Sequence, residues 1–252
     1  MVKKTGGTRA FPLERRAQLE QELAAAENPT RAAQSAGFFK CGPGEYGEGD
    51  LFLGLPVPMQ RKIALQYVDL PLPEIERLLK SAIHEYRFAA LEILVAQYEA
   101  ASAEQRKIIF DFYVLNTARV NNWDLVDTSA PYVVGAYLQE QPEKRSLLRK
   151  LAKSKSLWER RIAIVATFAF LRAGEIAPTF QIAESLLSDK HDLIQKAVGW
   201  ALREAGKQAR PELVQFLQRH YAGLRRTTLR YAIERFTPAE RERMLTGDFA
   251  LR

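Results

Sequence analysis

The stretch NNWDLVDTSAP, residues 121–131, places an indole and a carboxylate four residues apart, Trp123 and Asp127, shortly before a proline. On a helix the two side chains share one face, with the carboxylate one turn beyond the ring. Pro131 stands four residues after Asp127, and its ring would clash with the Asp127 carbonyl if the helix ran on unchanged. The expectation is a stop or kink there, a new helix starting at Pro131 with Thr128 or Ser129 as its cap, and Asp127 at the corner. The same spacing also fits a plain cap and a core indole.

Two further residues are out of place on their helices. In HDLIQKAVGWALREAGK the apolar residues from Leu193 to Ala205 cluster on one side, while Trp200 projects about 110° from that centre, between Lys196 and Arg203. Such an indole suits contact with a nucleic-acid backbone or an electron-poor ring, as well as ordinary packing. In LWERRIAIVATFAFL, Arg161 falls on the side of Ile164, Val165 and Phe168. A guanidinium on an apolar face needs an anion, and Asp127 or a DNA phosphate would serve.

The elements that must position these residues read as helices. Helical periodicity dominates from about Phe11, and strand-like alternation is nearly absent. Candidate helices cover residues 14–25, 56–68, 73–80, 84–98, 103–116, 131–139, 142–153, 157–172, 179–187, 192–205, 211–218, 224–235 and 238–245, several with proline in the first turn. A basic residue before an apolar run recurs at Arg87, Arg161, Lys196 and Arg226, spaced 74, 35 and 30 residues apart. That period predicts an all-α, right-handed superhelical solenoid of HEAT-like antiparallel helix pairs. A single repeat domain is expected over residues 11–252, behind a flexible N-terminal arm of residues 1–10. The Gly- and Pro-rich segment Lys40–Pro58 reads as an ordered connecting loop.

Composition narrows the function classes. The chain has 252 residues, 47% hydrophobic and 27% charged, enough to bury a core without staples. No apolar run reaches a membrane span, and the N-terminus lacks the apolar stretch of a secretory signal, so a cytoplasmic location is expected, nucleoid-associated in a bacterium. One cysteine, Cys41, excludes an internal disulfide and multi-cysteine metal centres, and His84, His191 and His220 are too scattered to suggest a metal site. The net charge is +7, and the segment Lys144–Arg161 carries eight basic residues against one acid, which suggests a localised patch for a polyanion.

NNWDLVDTSAP, WERRIAIVATFAF and DLIQKAVGWALREAGK together resemble the DNA alkylation repair glycosylases of the AlkD type, over roughly residues 12–236. The resemblance implies that Asp127, Trp123 and Trp200 act at the damaged nucleotide and that Arg161 is the neighbouring arginine. It implies a monofunctional glycosylase in base excision repair, hydrolysing the N-glycosidic bond of cationic alkylated purines such as 3-methyladenine and 7-methylguanine in double-stranded DNA. No metal, cofactor, membrane or obligate protein partner is expected, and the protein is expected to act as a monomer. DNA contacts are expected from Arg161, Lys150, Lys153, Lys155, Lys196, Arg203 and Arg226. The readings it competes with are a non-catalytic repeat scaffold and a DNA-damage-binding protein.

Overall fold

The computed structural model describes residues 12–250, so the arm expected over residues 1–10 lies outside the described residues. The helices are α1 (Pro12–Ala25), α2 (Pro29–Phe38), α3 (Val57–Ala64), α4 (Leu72–Leu79), α5 (His84–Ala100), α6 (Ala103–Leu115), α7 (Trp123–Ser129) and α8 (Ala136–Glu140). They continue as α9 (Ser146–Ala152), α10 (Leu157–Val165), α11 (Phe168–Arg172), α12 (Ala177–Leu186), α13 (Asp192–Gly206), α14 (Arg210–His220), α15 (Arg226–Ala232) and α16 (Pro238–Leu245). Among the described residues there is no strand, only an isolated bridge between Leu51 and Ile83. No helix among them is long and apolar enough to cross a membrane.

The described residues form two compact units that meet in sequence between Ala101 and Ser102. In the first, α5 packs on α3 and α4 and buries Phe88, Leu91, Ile93 and Leu94. The Gly-rich segment before α3 is ordered, as its composition suggests. The buried Glu85 carboxylate accepts hydrogen bonds from the Leu53, Gly54 and Leu55 amides at 2.9, 2.8 and 3.3 Å. Gly54 has φ +82°, and a Cβ there would meet the Asn28 carbonyl oxygen at 2.4 Å, so this turn takes no other residue without rearrangement.

In the second unit, consecutive helices joined by short turns pack as pairs, α9 on α10, α12 on α13, and α13 on α14. The pairs stack as in an α-solenoid, so that α7, α10, α13 and α15 form one layer in which each helix packs on the next. That layer is held closely. A Cβ on Gly199 of α13 would meet the Thr228 carbonyl oxygen at 2.6 Å, and the Thr228 hydroxyl donates to the Gln195 carbonyl at 3.1 Å. Backbone-to-backbone approach of this kind fixes helix spacing more tightly than side-chain packing alone.

Several sequence expectations need correction. The helix expected over 157–172 is broken after Val165. Thr167 donates its hydroxyl to the Ile164 carbonyl at 2.6 Å, and the Ala166 carbonyl beside it faces the backbone of Gly135. A helix over Pro29–Phe38, opened by the Asn28 side chain accepting from the Arg31 amide at 3.0 Å, was not anticipated because its apolar face is weak. The basic run Lys144–Arg161 is not one solvated patch. Lys144 donates to the Tyr137 hydroxyl at 2.6 Å, while Arg145, Arg160 and Arg161 pair with Glu175, Asp189 and Asp127. Arg149, Lys150, Lys153 and Lys155 are the members that remain exposed.

Candidate functional site

Helix α7 is short, and its start is set by Asn122, fully buried, whose side chain accepts from the Trp123 amide at 2.8 Å. Trp123 thus occupies the first turn, half-buried, and Asp127 follows one turn later. The chain does not stop at Pro131. Ala130 keeps helical angles, φ −59° and ψ −40°, and a π-helical turn over Pro131–Gly135 carries the helix onward into α8. The Gly135 amide reaches back five residues to the Ala130 carbonyl at 2.8 Å. The wider turn absorbs the register that the proline ring forbids.

Of the expected stop or kink, the structure shows no stop but a π-helical departure from α geometry, and neither Thr128 nor Ser129 caps it with its side chain. The Ser129 hydroxyl donates instead to the Leu125 carbonyl at 2.5 Å and lies 2.9 Å from the Tyr113 hydroxyl, all of it buried. The π turn lies against the break between α10 and α11, where a Cβ on Gly135 would meet the Ala166 carbonyl oxygen at 2.1 Å. Asp127 is thus held on a helix with fixed ends, next to the helix that carries Arg161.

Arg161 makes a two-pronged ion pair with Asp127, Nε to Oδ1 at 2.9 Å and Nη2 to Oδ2 at 2.7 Å. Its Nη1 donates to the Leu193 carbonyl at 2.8 Å, which ties α10 to the start of α13. The arginine side chain is 6% exposed and the aspartate side chain 20%, so the aspartate is the more accessible member of the pair. Burial pushes the Asp127 carboxyl above its ordinary value and the Asp124 carboxylate adds to this, while the Arg161 guanidinium pulls the other way. The result is an ion pair whose acidic member is held at a cost.

Trp200, half-buried on α13, packs its ring against Phe168 with centroids 4.4 Å apart. Trp158 is half-buried on α10, the helix of Arg161. The structure thus puts Trp123, Asp127, Arg161 and Trp200 on three successive packed helices, with direct contact between Asp127 and Arg161.

The cations expected to meet DNA divide into two groups. Lys196 pairs with Asp192 at 2.6 Å, Arg203 with Glu204 at 3.3 Å and with Glu234, and Arg226 donates to the Leu245 carbonyl at 2.5 Å. Lys150, Lys153 and Lys155 are exposed and outside every ion pair among the described residues. Arg161 belongs to neither group, because its guanidinium is buried and already bonded to Asp127 and Leu193.

Sequence reasoning passed over a second carboxylate–arginine pair. In the first unit Arg87 Nη2 lies 2.6 Å from Asp50 Oδ2, with side chains 4% and 5% exposed. His84 Nδ1 lies 3.3 Å from the same oxygen, and the Phe52 ring stacks on the imidazole with centroids 4.7 Å apart. The signal was present in Arg87, which opens an apolar run as Arg161 does.

The sequence profile of a family described as DNA alkylation repair enzyme matches residues 19–236. A solved structure, that of a predicted DNA alkylation repair enzyme from Enterococcus faecalis, superposes with a TM-score of 0.67 over 84% of this chain and 97% of that one, at 18% identity. No curated protein matches the sequence.

Proposed function

The chain belongs to the DNA alkylation repair enzyme family, and we propose that it is a monofunctional DNA glycosylase that excises cationic alkylated purines from double-stranded DNA as the first step of base excision repair. The observation that carries this reading is the Asp127 carboxylate, bonded through both oxygens to a buried Arg161 while its side chain stays 20% exposed.

Alkylation at N3 or N7 leaves a purine positively charged and makes it a good leaving group. When the C1′–N bond breaks, its electron pair goes to the base nitrogen, the base departs neutral, and the sugar becomes oxocarbenium-like. An ionised carboxylate that is already oriented stabilises that developing charge without reorganising. Asp127 also accepts a hydrogen bond from the water that attacks C1′, and takes up its proton as the C1′–O bond forms.

Arg161 acts as a positioning residue. Its fork geometry fixes the carboxylate plane and opposes the protonation that burial favours. Trp123 and Trp200 offer π faces to the cationic nucleotide, each worth ~0.5–2 kcal/mol depending on desolvation. The first phosphate contacts fall to Lys150, Lys153 and Lys155. Lys196, Arg203 and Arg226 would have to exchange an internal partner to reach DNA.

On this reading the protein acts as a monomer on alkylated duplex DNA and needs no metal. Incubation with methylated duplex in EDTA is therefore expected to release 3-methyladenine and 7-methylguanine. Binding without release would make the protein a damage-binding relative, and neither binding nor release would make it a scaffold.

A further inference from the structure

At the starts of α10 and α13, the helices that carry Arg161 and its Leu193 partner, a cleft of about 520 Å³ opens between the α9–α10 turn and the α12–α13 turn, lined by Lys153, Ser154, Arg160, Asp189, Lys190 and His191. It lies next to the site through two covalent neighbours. Arg160 precedes Arg161, and His191 caps α13 two residues before Leu193, whose carbonyl holds Arg161. Its walls are built rather than loose. Arg160 Nε donates to Asp189 at 2.6 Å, and its Nη1 donates to the Ser154 and Lys155 carbonyls at 3.0 and 2.9 Å, which locks the two turns together.

Arg160 and Asp189 neutralise each other, so the charge left facing the cleft is that of Lys153 and Lys190. Both are exposed, and neither has an ion-pair partner among the described residues. The His191 Nδ1 accepts from the Leu193 amide at 3.2 Å, so a neutral ring keeps its proton on Nε2 and remains a donor. Two free ammonium groups and an imidazole N–H around an open cleft match the acceptor-only oxygens of a phosphodiester.

We infer that this cleft seats one backbone phosphate of the DNA strand next to the lesion, held by Lys153 and Lys190 with His191, and so sets the register of the damaged nucleotide over Asp127. The inference rests on the proposed glycosylase reading for the identity of the strand. Lys190 and His191 enter here as contact residues, and the clamp is sequence-independent because it reads only the backbone.

The test couples protein and DNA changes. A neutral methylphosphonate is placed at each backbone position flanking a non-hydrolysable lesion analogue, and binding is measured for the wild-type protein and for K153Q/K190Q. One position is expected to weaken wild-type binding and to cause no further loss in the double variant, whose slope of log affinity against log salt falls by about 1. The melting temperature of K153Q/K190Q is expected to match the wild type, since Arg160 and Asp189 are untouched. Additive losses at every position with an unchanged salt slope would overturn the cleft, even with excision intact. Coupling at one position in a protein that releases no base would uphold the clamp and remove the glycosylase reading instead.

Discussion

Each unit of this protein buries an arginine against an aspartate, and the two pairs are built for opposite ends. Asp50 sits 5% exposed between Arg87 and His84, with Phe52 and Phe39 packed on the imidazole. Burial alone would raise its carboxyl, yet the His84 hydrogen bond and the Arg87 charge outweigh burial and hold it below its ordinary value. Asp127 has one cationic partner and a side chain 20% exposed, and its carboxyl is raised. An ion pair alone therefore marks no site. The distinguishing features are a side chain that is 20% rather than 5% exposed and a charge kept at some energetic cost, as reactive groups require.

The largest contrast is expected from substituting each aspartate by asparagine. D127N should lower single-turnover excision by at least about 10²–10³-fold, the scale of losing a preorganised charge at a transition state. DNA binding should stay within a few-fold, because shape is kept. If D127N excised at the wild-type rate, Asp127 would be structural and the two pairs would be alike.

R161A should cost both folding and activity. Removing one partner of a buried pair leaves an uncompensated charge and costs ~3–5 kcal/mol, read as a lower melting temperature. R161K separates the two effects, since lysine restores charge without the two-pronged geometry. It is expected to fold well and excise poorly, and full activity in R161K would show that position matters less than charge.

D50N should show the reverse of D127N. A loss of about 3 kcal/mol is expected for a buried pair broken at its acid, with excision per folded molecule unchanged. Its pH signature follows from the lowered carboxyl. The Asp50 contribution to stability is present above the ordinary carboxylate range and is lost as pH falls through its lowered value, so D50N should flatten the acid side of the stability curve. An activity loss in D50N beyond its unfolded fraction would merge the roles of the two pairs.

What could be read from sequence follows from the range of the forces involved. Helical periodicity is local, and it located most of the helices and the misplacement of Arg161 on an apolar face; the need of a buried guanidinium for an anion then made Asp127 a candidate partner. The same reasoning applied to Arg87 calls for an anion but does not place it. Asp50 was hidden because it lies in a Gly-rich loop with no period to place it. The π turn after Ala130 escaped because proline chemistry forbids one register without dictating how the chain recovers. The pairing of Arg203 with Glu234 is a tertiary contact that no spacing rule anticipates.

The pH dependence of single-turnover excision tests the central claim most directly, that an ionised Asp127, raised by burial and held down by Arg161, does the chemistry. Excision should require the carboxylate, so the rate should fall on the acid side with a midpoint above the ordinary aspartate value. In R161K, where the charged form loses its bidentate bonds, that midpoint should move higher still. A midpoint at the ordinary carboxylate value that does not respond to R161K, or no acid limb at all, would contradict the account.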